Sequence, residues 1–352
     1  MQNCVADAAA QARFVGGCTK NDAFWSRVRP PAGDESATLL NIGANKGYEI
    51  AAFVERWAPE RKLSHGLWYN EIMRHGKDIG SKHLKWSAAG GCHDKDHRMA
   101  PDELPRPPLN GAKAKVNIHA FELNGRTARL IEALARVTGV SDIVRVHQQP
   151  VSDHDGAVCT QQGPAGYERG GIQHVGSARA RKCASWQNAT TVDAFVAAAH
   201  LGGLFHVEVD TEGHDAAVLA GMRRTLTARQ VRLLEFEYSG QWPTESAACV
   251  ADPAGCKTNR RTLGRTLRWM WEQAGYRCFF YAARHAAAAK AGGRHAAADL
   301  VPISPPCWQP SLEVRAWSNV LCAWRDDDLA VLHNLSASAY AERQQARQAA
   351  PS

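Results

Sequence analysis

Three stretches carry residues whose types and spacing suit a hydroxylated, charged ligand. Gly43-Ala44-Asn45-Lys46-Gly47 follows the apolar run Thr38–Ile42 and precedes Ile50-Ala51-Ala52-Phe53-Val54. A strand, a glycine turn and a helix start bring backbone N–H groups close to whatever binds there. The spacing argues against two common ligands. Asn45 stands where the dinucleotide fingerprint G-x-G-x-x-G needs its second glycine, and no Gly-Lys-Ser/Thr closes a phosphate loop. Glu122 follows the run Lys115–Phe121, and a carboxylate at the tip of a second strand accepts two ribose hydroxyls at once. Leu204–Val209 runs into Asp210-Thr211-Glu212-Gly213-His214-Asp215, a strand leading to acids, a glycine and a helix. Asp210 and Glu212 share a face if the strand continues that far, where they orient or deprotonate a substrate hydroxyl or share a divalent ion. Alternatively, Glu212 caps the helix that follows. His214 is either a base, since imidazole titrates near neutrality, or a first-turn residue facing solvent. Glu235 and Glu237 alternate on a later strand, and Glu237 is the one assigned to the site.

These residues need strands and helices in alternation to hold them. The pattern predicts strands at 38–42, 116–121, 143–147, 204–209, 231–238, 276–281 and 319–324. Helices are predicted from Ile50 to Trp57, through Ala128, Ile131, Leu134 and Val137 to Gly139, from Thr190-Thr191 to His200, from His214 to Met222 and from Leu263 to Ala274. Pro150–Gly156 reads as the loop beyond strand three, followed by a hairpin arm. Periodicity disappears from Pro59 to Ala112, which reads as an insertion, as does 282–300. Residues 1–37 read as a capping segment, 38–326 as the main domain and 327–352 as a terminal helix and tail. Alternation of this kind means a mostly parallel sheet covered on both faces, and the last two strands allow an antiparallel hairpin at one edge.

Four motifs in order, Asn41-Ile42-Gly43-Ala44-Asn45-x-Gly47, Ala120-Phe121-Glu122, Val209-Asp210-Thr211-Glu212-Gly213-x-Asp215 and Leu234-Glu235-Phe236-Glu237-Tyr238, resemble the FkbM family of S-adenosylmethionine-dependent methyltransferases. The resemblance runs from about Leu39 to Tyr238. It implies an α/β fold with a Rossmann-like class I methyltransferase sheet, with S-adenosyl-L-methionine bound beyond the carboxyl ends of the strands. It implies cofactor contacts at Asn41, Gly43, Ala44, Asn45, Gly47, Glu122, Leu123, Val151, Ser152 and Asp210, and catalytic duty at Asp210, Glu212, His214 and Glu237. The implied activity is O-methyl transfer to a hydroxyl of a small molecule or glycan. Two positions depart from the family: Asn41 replaces its usual acid, and Glu208 its usual lysine. Those departures support an alternative, a catalytically silent relative that binds a glycan or protein partner.

Composition narrows the partners. The chain of 352 residues is 45% hydrophobic and 22% charged, enough for a core. A formal net charge of +7 is spread without any basic run, so no nucleic acid is expected. No apolar stretch approaches the roughly 18 residues that span a bilayer, and Met1–Ala12 is too polar for a signal peptide. None of the ten cysteines forms a C-x-x-C pair, and no metal is assigned; His93-Asp94-x-Asp96-His97 has a metal-like composition but reads as polar surface. Cys249 with Cys256, and Cys4 with Cys18, could close small disulfide rings, or all ten are independent thiols. With the sequons Asn188-Ala189-Thr190 and Asn334-Leu335-Ser336, the cysteines favour a secretory lumen slightly over the cytoplasm.

Overall fold

The structure, a computed structural model, describes residues 22–29, 31, 36–75, 115–167, 170–173, 183, 185–242, 262–282, 299–313 and 318–336. The segments 93–97, 243–261 and 283–298, and the cysteines Cys4, Cys18, Cys249 and Cys256, lie outside these residues. The chain divides into two compact units, Arg29–Thr225, and Met1–Val28 with Leu226–Ser352.

In the Arg29–Thr225 unit, four parallel strands lie in the order β7–β1–β2–β3: β1 Ser36–Ile42, β2 Lys115–Phe121, β3 Val144–His147 and β7 Leu204–Val209. β1 is buried from Ala37 to Ile42, as a parallel strand covered on both faces should be. α1 Tyr48–Trp57 packs on β1 and β2, and α3 Gly125–Val137 packs on β3. α1 buries Ile50, Phe53, Val54 and Trp57, and α3 buries Leu130, Ile131 and Leu134, each at three-and-four spacing. Full burial of such side chains stabilises by roughly 1.5–3 kcal/mol apiece before chain entropy is counted. Asn124 starts α3, its side-chain oxygen accepting from Arg126 N at 2.9 Å and Thr127 N at 3.4 Å. Gly139, at φ 73°, follows its end.

The stretch after Pro59 departs from expectation. It holds α2, His65–His75, which buries His65, Trp68, Glu71 and Ile72 along one face. Pro59 ends α1 as predicted, but the chain then re-enters a helix instead of becoming irregular.

Beyond β3 comes the expected arm, a three-stranded antiparallel sheet in the order β5–β4–β6: β4 Gly156–Gln161, β5 Gly171–Gln173 and β6 Ser185–Ala189. Cys159 of β4 is bonded to Cys183. Three hydrogen bonds tie the arm to the loop after β2 and the first turn of α3: Gln187 Nε2 to Leu123 O at 3.1 Å, Asn124 Nδ2 to Gly163 O at 2.9 Å, and Gly166 N to Thr127 Oγ1 at 2.9 Å. α4, Val192–Ala198, is capped by Thr191, whose hydroxyl accepts from Ala194 N at 3.0 Å. α5, Asp215–Ala220, follows β7.

In the other unit, β8 Val231–Tyr238, β9 Arg277–Ala282, β10 Asp299–Pro302 and β11 Ser318–Ala323 lie in the order β10–β9–β11–β8. β11 is antiparallel to both β8 and β9, which gives the expected pairing of the last two predicted strands. The Cys278–Cys322 disulfide joins register partners on β9 and β11. β10 adds a strand that begins inside the stretch read as an insertion. α6, Leu263–Trp269, continues through Ala274 to Gly275 at φ 77°, where Tyr276 N closes back on Met270 O at 3.1 Å. A helix over 326–336 brings Asp328 to Arg232 in a buried two-pronged ion pair, both contacts 2.8 Å. Among the described residues no cysteine is free, and no helix is long and apolar enough to cross a membrane.

Candidate functional site

The turn after β1 is pinned from both sides. Gly43 N and Ala44 N both donate to Phe121 O, at 3.0 and 2.9 Å, which holds the turn against the end of β2. Asp210 N donates to Ile42 O at 2.9 Å, which holds the end of β7. The approach is so close that a Cβ on Gly43, itself at φ 85°, would lie 1.8 Å from Asp210 O. A Cβ on Gly47 would lie 2.8 Å from the ring of Trp68, whose Nε1 donates to Lys46 O at 2.7 Å. Trp68 of α2 therefore seals the back of the turn. Trp68 lies within the stretch expected to be an insertion, although His65, Trp68 and Ile72 carry helical spacing.

Glu122 is 8% exposed, and both its oxygens are held by backbone N–H groups. Oε2 accepts from Asn45 N at 2.9 Å and Oε1 from Asn124 N at 2.7 Å. Burial pushes its pKa up to about 7 against the pull of those two bonds. Each carboxylate oxygen has a second acceptor position beyond the one used. Asn41, 2% exposed on β1, donates from Nδ2 to Glu208 Oε2 on β7 at 3.0 Å. The side-chain oxygens of Asn41 and Asn45 are buried without a donor among the described residues. Acceptors thus collect at the carboxyl ends of β1, β2 and β7, and the ligand that satisfies them brings donors: hydroxyls or an ammonium.

Beyond β7 the structure corrects two expectations. β7 ends at Val209 and Glu212 takes φ 54°, so alternation does not put Asp210 and Glu212 on one strand face. The N-cap position of α5 is His214, not Glu212. Asp215 holds the turn, with Oδ1 accepting from Thr211 N at 3.0 Å and Oδ2 from Gly213 N at 3.1 Å. Burial, and secondarily the charge of Asp210, push the Asp215 pKa up to about 7. His214 does not face solvent; it is 7% exposed and its Nε2 lies 3.0 Å from Ser152 Oγ, so two assigned residues meet. Val151 is buried and bridges to Thr190. Glu237 belongs to the other unit, buried on β8, with Trp242 Nε1 donating to its carbonyl at 2.9 Å.

Three of the four motifs, those at the ends of β1, β2 and β7, meet in this arrangement, while Leu234–Tyr238 lies in the other unit. Residues 112–278 match the methyltransferase FkbM domain. The family named on the motifs is the family matched, and it is one of methyltransferases. The FkbM match begins before β2, so the Gly43–Gly47 turn lies outside it. No curated protein matches the chain. Among solved structures, a methyltransferase FkbM from Methylobacillus flagellatus KT is similar at 10% identity and a TM-score of 0.32, over 67% of this chain and 45% of that one. StiE O-MT residues 961–1257 are similar at 10% identity and a TM-score of 0.30, over 87% of this chain and 74% of that one. The chain thus spans less than half the length of the first, and at these scores neither likeness adds to the argument from the strands.

Proposed function

We propose that the protein is an S-adenosylmethionine-dependent O-methyltransferase acting on a hydroxyl of a small molecule or glycan. The observation that carries this reading is the set of acceptors around the Gly43–Gly47 turn: the Glu122 carboxylate with the unmet side-chain oxygens of Asn41 and Asn45. They fit a ligand that presents ribose hydroxyls at one end and an amino-acid ammonium at the other. S-adenosylmethionine, when bound, supplies an electrophilic methyl group on a sulfonium. The chain's own residues do the remainder. Glu122 accepts from the ribose hydroxyls, the Gly43 turn admits the ligand to the backbone, and Asn41 with Glu208 faces positive charge. Asp210, exposed at the tip of β7, orients the acceptor hydroxyl and takes its proton, with Glu212 beside it in sequence. Ser152 and His214 fix the loop beyond β3 against the start of α5.

The two disulfides support an oxidising, secretory setting. Titration calorimetry of S-adenosylmethionine and S-adenosylhomocysteine against wild type, Glu122→Ala and Glu122→Gln tests the cofactor reading. Binding by wild type that weakens by about 1–3 kcal/mol in Glu122→Ala supports it. No binding to folded wild type overturns it.

A further inference from the structure

The outward face of the arm carries a motif that methyl transfer does not use. Trp186-Gln187-Asn188-Ala189-Thr190 is an Asn-x-Thr sequon with an aromatic residue two positions before its asparagine. On β6 that spacing puts Trp186 and Asn188 on one face, about 6.5–7 Å apart along the strand. Gln187 between them fixes which face it is. Its amide turns inward and donates to Leu123 O and to Thr160 Oγ1, both at 3.1 Å, so its two neighbours turn outward. Both are exposed, Trp186 at 58%.

The surroundings leave room for a bulky group on Asn188. Its register partner on β4 is Ala157, an exposed methyl. The Asn188 carbonyl, not its side chain, accepts from Gln149 Nε2 at 3.3 Å, and its carboxamide makes no hydrogen bond among the described residues. The Trp186 indole likewise meets no ring or cation among them. The second sequon, Asn334-Leu335-Ser336, differs on each count. It lies in the helix over 326–336, Ser336 is 7% exposed, and the residue two before Asn334 is the buried Leu332.

A sugar ring and an indole are matched surfaces. The axial C–H groups on one face of N-acetylglucosamine are apolar and slightly positive, and the face of an indole is apolar and negative. We infer that Asn188, in preference to Asn334, is an N-glycosylation site and that its first sugar rests on Trp186. The transfer joins Asn188 Nδ2 to the anomeric carbon of a polyprenyl-diphosphate-linked oligosaccharide. The bond from that carbon to the diphosphate oxygen breaks, the polyprenyl diphosphate leaves, and one amide proton passes to solvent. Thr190 Oγ1 donates to Asp155 Oδ1 at 3.1 Å in the folded arm, so transfer belongs to the chain before β6 pairs with β4. Glycosylation presupposes the secretory setting proposed above and does not depend on methyl transfer.

The test is full-length protein secreted from a eukaryotic host behind an added cleavable leader. Occupancy of each sequon is read by peptide mass after peptide N-glycosidase treatment in ¹⁸O-labelled water, and Asn188 should be occupied well above Asn334. The occupied form, separated on a lectin and trimmed to its first N-acetylglucosamine, then isolates the contact with Trp186. It should melt about 2 °C above Asn188→Gln, and the difference should vanish when both carry Trp186→Thr, a change at an exposed position that leaves the core untouched. Asn188 unoccupied in the secreted protein, or Asn334 occupied as fully, overturns the site. A difference that survives Trp186→Thr overturns the resting place of the sugar. The same chain expressed without the leader reports separately on the secretory setting: no glycan there, with Asn188 occupied behind the leader, counts against that setting and supports the site.

Discussion

Asn41 and Glu208 face each other across β1 and β7 as register partners, with the amide of one donating to the carboxylate of the other at 3.0 Å. Each looks like a loss when read separately, since the family's usual strand-one acid and strand-four lysine are both missing. Together they keep one carboxylate at the junction of the two strands and supply it from β7. This pairing weakens the case for a silent relative, because negative charge beside the glycine turn is moved, not removed.

Glu208→Gln should therefore separate charge from structure. Glutamine can still accept from Asn41, so the melting temperature should change little. Affinity for S-adenosylhomocysteine, whose ammonium loses a nearby carboxylate, should fall about tenfold, or ~1.4 kcal/mol. Glu208→Leu should instead cost ~1–3 kcal/mol of folding stability, since it leaves the Asn41 amide without its acceptor. Calorimetry and denaturant unfolding of the two variants would distinguish these effects, and equal affinity in wild type and Glu208→Gln would count against the charge.

Gly43→Ala and Gly139→Ala make a matched pair. Both glycines have positive φ, but a Cβ on Gly139 meets nothing within 4 Å, while one on Gly43 strikes Asp210 O. Gly139→Ala should cost about 1 kcal/mol, from backbone strain alone. Gly43→Ala should cost more than about 3 kcal/mol or prevent folding, because β1 and β7 must part. Similar unfolding midpoints for the two would contradict the close approach.

Acid and base sides of the stability profile should have different owners. Glu122 and Asp215 titrate near 7 when folded, against 4.5 and 3.8 ordinarily. Their raised values mean the folded state binds more protons across that window, so their contribution is full below the lower value and lost as pH rises through 7. His119 and His206 are depressed, chiefly by burial, to about 4 and about 3 from 6.5. Their contribution is present above 6.5 and lost as pH falls through those values. Glu122→Gln should thus gain stability relative to wild type between pH 5 and 8, measured by unfolding at each pH.

Ligand affinity should follow the same carboxylate. Ribose hydroxyls donate best to ionised Glu122, so wild-type affinity for S-adenosylhomocysteine should rise roughly tenfold from pH 6 to pH 8. Glu122→Gln should bind more weakly and show a flat profile over that range. A rise that persists in the variant would point to a different titrating group.

Peptide mapping of unreduced protein should recover the Cys159–Cys183 and Cys278–Cys322 linkages. Opening the first, which closes 24 residues within the arm, should cost about 3 kcal/mol by chain entropy. Both cysteines replaced by serine and both left intact are the forms to compare in denaturant.

Much of this protein is local, and that part was legible in the chain itself. Thr38–Ile42, Gly43–Gly47 and Glu122 announce a strand, a turn and a strand-tip acid because a buried parallel strand is a short apolar run and a left-handed turn needs glycine. Thr191 and Gly275 mark helix ends for equally local reasons. The α2 helix was lost among histidines, lysines and glycines, since its one buried face is narrow and rests on Trp68. What pairs with what was decided only by the tertiary fold. Asn41 meets Glu208 across 167 residues and Ser152 meets His214 across 62. Strand register brings them together, and register depends on packing over the whole sheet, not on any neighbouring residue. The same holds for Asp215, whose carboxylate holds the turn after β7 through Thr211 N and Gly213 N.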